Sequence, residues 1–270
     1  MKKNAFFLLL VITAFSCNTA SKEGSNESTA NDSTEVTDES KVENEGWIYL
    51  FDGTSTEGWR AYNGDALPPG WIAKDGELTF DTELGLEQDY KGGKDIIYGA
   101  EEFENFELYL EWKLPEGGNS GIFYHLKEGF DSPTGICPEY QLIDDINYEN
   151  IHDLVEYNTS LGYDNPEKLQ SFQKTASDYA MYPADASVKV LNPVGEWNST
   201  RIIFTPEKVE YYLNDIMVVS FVPWSDDWNE KKNSNKWKNY PDYGKFKSGF
   251  IGLQDHASPI WFRNIKIKKL

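Results

Sequence analysis

The stretch FELYLEWKL, residues 106–114, alternates apolar and polar side chains without a break. Successive side chains of a β-strand point to opposite faces of a sheet, so this pattern predicts a strand with one buried face and one solvated face. The predicted buried side chains are Phe106, Leu108, Leu110, Trp112 and Leu114, and the predicted outward ones are Glu107, Tyr109, Glu111 and Lys113. No other segment of the chain predicts a strand as clearly.

The stretch that follows, GGNSGIFYHLKEGFDSPTGICPEYQLIDD (residues 117–145), contains two shorter alternating segments. In residues 121–126, alternation places Phe123 and His125 on one face, and Ile122, Tyr124 and Leu126 on the other. In residues 139–144, it places Glu139 and Gln141 on one face, and Tyr140, Leu142 and Asp144 on the other. An acid, an amide and an imidazole on one wall of a half-buried sheet indicate a candidate functional site.

Further short strands follow on both sides of this region. Asp75-Gly76 within WIAKDGELTF (71–80) predicts a tight hairpin, and Asn214-Asp215 predicts a second hairpin between 209–213 and 216–222. In GFIGLQDH (249–256), Gln254 and His256 share a face. About ten short strands with no sustained helical period predict an all-β fold, an antiparallel β-sandwich.

Two long insertions, which we expect to carry short helices, interrupt the strands. Residues 145–185 lack a regular period, although Asn165-Pro166-Glu167 is typical of a helix start, and such a long loop is often functional, here as a lid or a substrate-recognition wall. Residues 223–248 carry Trp224, Trp228, Trp237, Tyr240 and Tyr243. We expect these aromatic side chains to pack the loop down onto the domain, with sugar-stacking subsites as the alternative.

The N-terminus predicts export. Residues 1–17 combine Lys2 and Lys3 with an apolar run and end at Cys17, which follows a small residue as in a bacterial lipobox, although Ala14 stands where leucine is usual. We therefore expect a lipoprotein signal peptide with lipidation at Cys17, and an exported protein anchored at the periplasmic or cell-surface face of the outer membrane. Ordinary secretion is the alternative. Residues 18–46 are polar and acidic and predict a disordered tether, and residues 47–270 predict one domain.

Charge excludes two classes of partner. The formal net charge of −20 argues against nucleic acid and against an anionic membrane surface, because both need a basic footprint, so membrane contact is expected through the lipid anchor alone. With Cys17 lipidated, Cys137 has no disulfide partner, and we expect it to be a small buried side chain.

An ordered set of motifs resembles the 3-keto-disaccharide hydrolase domain family. The motifs are LFDG at 50, GW at 58, W-x-x-x-DG at 71, FELYLEWKL, GGNSGIFYH, PEYQLID, GEWN at 195, VEYYLND at 209, GLQDH at 252 and WFRNIKIK at 261. The resemblance runs from about Trp47 to the C-terminus. It implies a concanavalin A-like jelly-roll sandwich, frequent lipoprotein anchoring, and action on glycosides already oxidised to a ketone at C3.

Four positions depart from the family pattern. Tyr211 and Tyr212 stand where the family commonly has histidine and tryptophan, and Asp215 and Ala257 stand where it has glycine. If the histidine contributes to chemistry in relatives, its loss at position 211 would alter activity here. Asp215 is a milder change, because Asn-Asp can still form a tight turn.

The implied chemistry assigns roles to the polar residues. A ketone at C3 acidifies the C2 proton, so the glycosidic bond at C1 can break by β-elimination, after which water adds to the enone. This route needs a base, a group that holds the enolate oxygen and an acid for the leaving oxygen, and Glu139, His125 and His256 offer such groups. The candidates for substrate binding are Asn119, Gln141, Asp144, Gln254 and Arg263.

Several alternatives stay open at this point. Each histidine could be a structural group, Asp144 could cap a turn, and Arg263 could close a sheet edge. A divalent metal is possible, with His125, Glu139, Asp144 and His256 as permissible ligands, although no tight metal-binding spacing supports it. The other function classes are a non-catalytic carbohydrate-binding module and a conventional glucanase-type hydrolase, which would need two facing carboxylates.

Overall fold

A computed structural model describes residues 46–234 and 236–270. Thirteen strands occur in this part of the chain: β1 (Trp47–Phe51), β2 (Trp59–Ala61), β3 (Trp71–Lys74), β4 (Glu77–Phe80), β5 (Ile96–Tyr98), β6 (Phe106–Lys113), β7 (Asn119–Leu126), β8 (Glu139–Ile143), β9 (Asn198–Phe204), β10 (Val209–Leu213), β11 (Ile216–Phe221), β12 (Phe250–Leu253) and β13 (Ile260–Lys269). The predicted signal peptide, Cys17 and nearly all of the predicted tether lie outside the described residues.

The strands form two antiparallel sheets. The larger has the order β11-β10-β9-β6-β13-β4-β3, with β1 also paired to β13, and the smaller has the order β2-β5-β12-β7-β8. Buried side chains from both sheets belong to one apolar cluster, which forms the core of a sandwich. The predicted all-β sandwich is therefore confirmed.

Strand β6 at the centre of the larger sheet follows its predicted alternation. Phe106, Leu108, Leu110 and Trp112 are buried, and the intervening side chains are partly exposed. Fully burying a side chain of this size stabilises the fold by about 1.5–3 kcal/mol. The Trp112 indole N–H donates to the Thr200 hydroxyl at 2.9 Å, so its polar atom is also satisfied within the core.

Both predicted hairpins are present. Asp75 and Gly76 have φ values of 54° and 83° between β3 and β4, and Asn214 and Asp215 have 47° and 66° between β10 and β11. Positive φ at both central residues is the signature of a type I′ turn, which matches the twist of the flanking strands. Asp215 therefore forms the same kind of turn that glycine would favour.

The helices are short and lie in the connections, and both insertions carry short helices as expected. The helices are α1 (Thr82–Glu87), α2 (Tyr148–Ile151), α3 (Val155–Ser160) and α4 (Asp226–Ser234), with 3-10 turns at Pro133–Gly135, Ser171–Gln173 and Lys236–Asn239. The predicted helix start at Asn165 is wrong. Asn165 has a φ of 51°, in the left-handed region, and the residues after it form turns.

A bulge in β7 changes the predicted faces of that strand. His125 has a φ of 54°, and the pairing register between β7 and β12 shifts beside it. As a result Leu126 joins Phe123 on the outer face, whereas the His125 ring packs with inward-facing Tyr124. The predicted pairing of His125 with Phe123 is therefore wrong, because a bulge reverses the alternation after it.

Within residues 46–234 and 236–270, every helix is too short or too polar to cross a membrane.

Candidate functional site

A cleft of about 460 Å³ opens on the outer face of the smaller sheet. Glu139 and Gln141 from β8 line it, together with Gln254 and His256 from the segment that follows β12. Their neighbours Tyr140 and Leu142 point into the sandwich core, so the alternation predicted for β8 is confirmed. The two polar pairs open on the same concavity, as expected from the sequence.

The first insertion fixes the outer edge of β8. Backbone hydrogen bonds run from Gln141 N–H to Ser177 O at 3.1 Å, from Ala176 N–H to Gln141 O at 2.8 Å, and from Tyr179 N–H to Glu139 O at 3.0 Å. The insertion therefore completes the pairing of this edge strand and holds the backbone of the two polar residues. An edge left free would be open to slippage and to pairing with another chain.

Glu139 is an isolated buried acid. The residue is 4% exposed, and its carboxyl has no hydrogen-bond partner among residues 46–234 and 236–270. The carboxyl lies directly over Gly121 of β7, where any β-carbon would overlap it. Burial raises its pKa to about 8, with the nearby acids Asp95 and Asp178 adding to the rise and Lys236 opposing it. The group therefore holds its proton at neutral pH.

The segment that carries Gln254 and His256 is held at several points. Gln254 N–H donates to Gly121 O at 2.8 Å, and the Ser120 hydroxyl donates to Gln254 O at 2.8 Å. Between the two cleft residues, the Asp255 backbone N–H donates to Asp95 Oδ1 at 2.9 Å.

The Asp255 side chain points away from the cleft and anchors the same segment. Its carboxylate accepts from Tyr90 Oη at 2.7 Å, from Trp71 Nε1 at 3.2 Å and from Ala257 N–H at 3.0 Å. These bonds tie the segment to β3 and to the loop after α1. Asp95 and Asp255 are positioning residues that the strand pattern did not single out.

His256 stands at the mouth of the cleft. One side of His256 is exposed to solvent, and the rest is desolvated by surrounding protein. This desolvation lowers the pKa of His256 below the ordinary 6.5, and the nearby His152 and Lys236 lower it further. Its imidazole is therefore neutral at neutral pH. The cleft thus combines a protonated acid and an unprotonated base, the two states that proton transfer requires.

The two insertions build the facing wall. Tyr157 and Tyr179 come from the first insertion, and Lys236 and Tyr240 come from the second. Tyr157 and Tyr240 keep 41% and 42% of their surface exposed, whereas Trp237 is buried and stacks on Tyr243 with ring centroids 4.1 Å apart. Packing of the second insertion by its own aromatics is therefore confirmed, and one of its tyrosines also faces the cleft.

Of these wall residues, Tyr240 was among the aromatic side chains for which the sequence left sugar stacking open, and Tyr157, Tyr179 and Lys236 were not predicted. The density of aromatic side chains in both insertions could have indicated a binding wall. The sequence could not show that these side chains face the cleft, because most of them are distant in sequence from β8.

Asn119 lines the cleft as expected. Its amide N–H₂ donates to the Tyr148 hydroxyl at 3.2 Å, while its Oδ1 is buried and has no partner among the described residues. A buried acceptor without a partner is costly unless a ligand or water completes it. This atom is available to a donor on a bound molecule.

His125 does not line the cleft, which corrects its predicted place in the site. Its ring is buried between the sheets, 4.3 Å from Phe204 and 5.8 Å from Phe106 between ring centroids, and its Nε2 lies 2.8 Å from Glu104 O. Burial lowers its pKa to about 4, so it is a neutral core histidine.

Asp144 and Arg263 are also placed away from the cleft, against expectation. The Asp144 carboxylate accepts from Gly117 N–H at 2.9 Å and from the Asn147 amide at 2.8 Å, so it closes the turn after β8. Burial acts to raise its pKa, but these hydrogen bonds outweigh burial and lower it. Arg263 lies on the larger sheet, where its Nε donates to Glu111 at 2.6 Å and its guanidinium covers Trp197.

The four permissible metal ligands do not come together, because His125 lies in the core and Asp144 in a turn, apart from Glu139 and His256. In the described part of the chain, no three histidine, cysteine or acidic side chains are grouped as a metal site would require. Cys137 is buried, as expected, and forms no disulfide with another residue of 46–234 and 236–270.

Tyr211, the departure that placed activity in question, is not a cleft residue. It is fully buried in the core, where its hydroxyl lies 2.8 Å from the Tyr124 hydroxyl and 3.4 Å from Asp178 Oδ1. The substitution therefore leaves the lining of the cleft unchanged. Ala257, which also departs from the family pattern, has a φ of 59°, a conformation that glycine adopts with less strain.

A larger groove of about 720 Å³ lies on the other side of Ile143 and Leu169, which line both cavities. Much of its lining is apolar, and two of its charged side chains, Asp145 and Lys189, neutralise each other in an ion pair. The smaller cleft is the better candidate site, because its acid, imidazole and lysine are not paired with one another.

A concave cleft in which a few polar groups and two titratable residues with shifted pKa values converge defines a candidate active or ligand-binding site on a β-sandwich, a fold that hosts many functions. Residues 46–268 match the model of the 3-keto-alpha-glucoside-1,2-lyase-like domain. The chain belongs to this family, and the family expected from its motifs is confirmed.

Individual relatives agree with this assignment. The chain is 36% identical over 249 residues to the 3-keto-disaccharide hydrolase of Bacteroides thetaiotaomicron, covering 85% of this chain and 80% of that protein. A crystal structure of a candidate glycosyl hydrolase from Parabacteroides distasonis has 36% identity and a TM-score of 0.71, covering 84% of this chain and 94% of the other. A second crystal structure of a candidate glycosyl hydrolase from the same organism has 27% identity and a TM-score of 0.59, covering 83% of this chain and 99% of the other.

The pKa of Glu139 leads to a prediction about stability. Between its ordinary carboxyl pKa of 4.5 and its folded value of about 8, the folded protein holds a proton that the unfolded chain releases, so this group weakens folding as pH rises through that window. Glu139→Gln keeps the shape of the side chain and removes the ionisation. We expect its melting temperature to exceed that of the wild type by a margin that grows from about pH 5 to about pH 8, measured by calorimetry.

Glu87→Gln, on the exposed side of α1, is the matched control and should show no such trend. A margin for Glu139→Gln that stays constant with pH would mean that Glu139 is not a buried neutral acid.

Proposed function

We propose that this protein cleaves the glycosidic bond of 3-keto-glycosides, including 3-keto-disaccharides, by β-elimination followed by hydration. The observation that carries the proposal is the pairing, in one cleft, of a carboxyl that holds its proton with an imidazole that lacks one. The Bacteroides thetaiotaomicron relative, a 3-keto-disaccharide hydrolase, supports the substrate class.

The first step of the proposed reaction is proton abstraction. The neutral His256 imidazole takes the proton from C2, and the electron pair of that bond delocalises onto the C3 oxygen as an enolate. Because the C3 ketone makes this proton acidic, an unoxidised glycoside, which has a hydroxyl at C3, offers no such route.

The second step expels the leaving group. The enolate collapses to a C1–C2 double bond, the bond from C1 to the glycosidic oxygen breaks, and the protonated Glu139 carboxyl supplies the proton for that oxygen. Water then adds to C1 of the enone and a proton returns to C2, which gives the free 3-keto sugar. The sum of the steps is hydrolysis, with one water consumed.

The polar side chains that line the cleft are assigned to binding. Gln141, Gln254 and Asn119 present amide groups to the cleft, and the unpartnered Oδ1 of Asn119 suits a sugar hydroxyl as donor. The exposed Tyr157 and Tyr240 at the rim suit the apolar face of a sugar ring.

The rival classes fit these observations less well. A carbohydrate-binding module gains nothing from an unpartnered acid such as Glu139, which weakens folding and forms no hydrogen bond within the described residues. A conventional glycosidase needs a second free carboxylate. Asp153 also lines the cleft, but its carboxylate accepts the Val155 N–H at 2.9 Å at the start of α3.

The elimination route predicts isotope incorporation at C2. Incubated in D₂O with a 3-keto-disaccharide, the protein should release a 3-keto sugar that carries deuterium at C2, detected by NMR, and it should leave the matched unoxidised disaccharide intact. Cleavage of both sugars at similar rates would indicate an ordinary glycosidase, and binding without turnover would indicate a binding module.

The opposite protonation states predict a bell-shaped pH profile. kcat/KM should rise with pH as His256 loses its proton below pH 6.5 and should fall as Glu139 loses its proton near pH 8. Glu139→Gln should lower turnover by roughly 10²- to 10⁴-fold and remove the alkaline limb, because the variant has no acid to titrate. An unchanged alkaline limb in this variant would assign that limb to another group.

We further propose that the protein is exported and anchored to the outer membrane through a lipid on Cys17. The apolar run before Cys17 supports this proposal. Cells that express the wild-type protein should incorporate labelled palmitate into it, and Cys17→Ser should abolish the label, whereas the control Cys137→Ser should keep it. Label that persists in Cys17→Ser would contradict the anchor, and protease treatment of intact cells tests which membrane face carries the protein.

A further inference from the structure

The proposed reaction places negative charge on the C3 oxygen before the leaving group departs. Fixed positive charge or hydrogen-bond donors at that oxygen stabilise such a transition state more than any other single feature of most active sites. Neither Glu139 nor His256 can serve, because one is the acid and the other the base. The described lining of the cleft contains one lysine and no arginine, and that lysine is Lys236.

Lys236 is held in place by aromatic rings. Its Nζ lies 4.4 Å from the centroid of the Tyr179 ring, 4.4 Å from that of Trp237 and 5.7 Å from that of Tyr157. An ammonium group over aromatic faces is attracted by their quadrupoles. The rings are themselves fixed, since Trp237 is buried and its indole N–H donates to Tyr179 O at 3.1 Å.

The Lys236 ammonium also keeps its donors free. Within the described residues no carboxylate lies within 4 Å of its Nζ, whereas Lys189, the lysine of the neighbouring groove, is bound by both Asp145 and the Thr175 carbonyl. Rings supply attraction without accepting all three ammonium protons, so the cation is positioned while its hydrogen-bonding capacity stays available.

The charge of Lys236 reaches both proton-transfer groups. It opposes the rise in the pKa of Glu139 and contributes to the decrease in the pKa of His256. A cation that acts on both residues lies near the space that a sugar ring between them would occupy.

We propose that Lys236 is a catalytic residue whose ammonium donates a hydrogen bond to the C3 oxygen of a bound 3-keto-glycoside and stabilises the enolate. This role rests on the proposed function. It assigns Lys236 to the proton-abstraction step and leaves the departure of the leaving group to Glu139.

Because the two residues act at different steps, isotope exchange separates them. In D₂O, Glu139→Gln should still exchange the C2 proton of the uncleaved substrate while cleavage is slow. Lys236→Met should lose exchange and cleavage together, by roughly 10²- to 10³-fold, the usual effect of removing one donor to an oxyanion. Methionine retains an unbranched side chain that can pack against the same rings, so the variant should fold.

Two further variants complete the test. Lys236→Arg retains a cation that stacks on aromatic rings and should recover part of the exchange rate. Lys238→Met removes an exposed lysine from the same 3-10 turn, outside the cleft lining, and should match the wild type.

The outcomes are distinguishable. If the wild type neither exchanges the C2 proton nor cleaves the glycosidic bond of the 3-keto-glycoside, the proposed function itself fails. If the wild type is active and Lys236→Met exchanges the C2 proton at the wild-type rate, the inference is overturned. A lowered melting temperature in that variant would then assign Lys236 a structural role. Borohydride trapping of substrate on Lys236 would replace the hydrogen bond with an imine and would also overturn it.

Discussion

The register of β8 is the constraint on which the cleft depends. Alternate residues of this strand face two different media: Tyr140 and Leu142 pack into the sandwich core, and Glu139 and Gln141 face the cleft. A slip of one residue would place an acid and an amide in the core and two large apolar side chains in the cleft. The strand therefore has one acceptable register, and it is fixed on one side by β7 and on the other by residues 176–179.

This register produces the unusual electrostatics of the cleft. The insertions cover much of the outer face of the smaller sheet and leave Glu139 only 4% exposed, and the neighbouring glycine lets its carboxyl lie against β7. The same cover desolvates His256 from the other side. Desolvation favours the neutral form of both groups, so a single physical cause leaves the acid protonated and the base unprotonated. The cost in folding stability is consistent with a group kept for chemistry.

The pattern of apolar and polar residues was sufficient to predict strand β6, two hairpins of the larger sheet, and strand β8. Alternation along β6, the two I′ hairpins and the shared cleft face of Glu139 and Gln141 are local consequences of a period of two and of turn chemistry, so they could be read directly from the residues. His125 could not. The bulge that turns its ring into the core depends on pairing with β12, which lies more than a hundred residues later in the chain.

The sequence by itself determined the fold class, the family through its ordered motifs, and five polar residues that line one cleft. The tertiary structure decided which of the other candidates join them: it placed His125 in the core, Asp144 in a turn and Arg263 on the opposite sheet. It also brought Lys236 and three tyrosines to the facing wall. The physical reason is that strand periodicity is local, whereas insertions have no period, and their side chains are positioned by packing against residues distant in sequence.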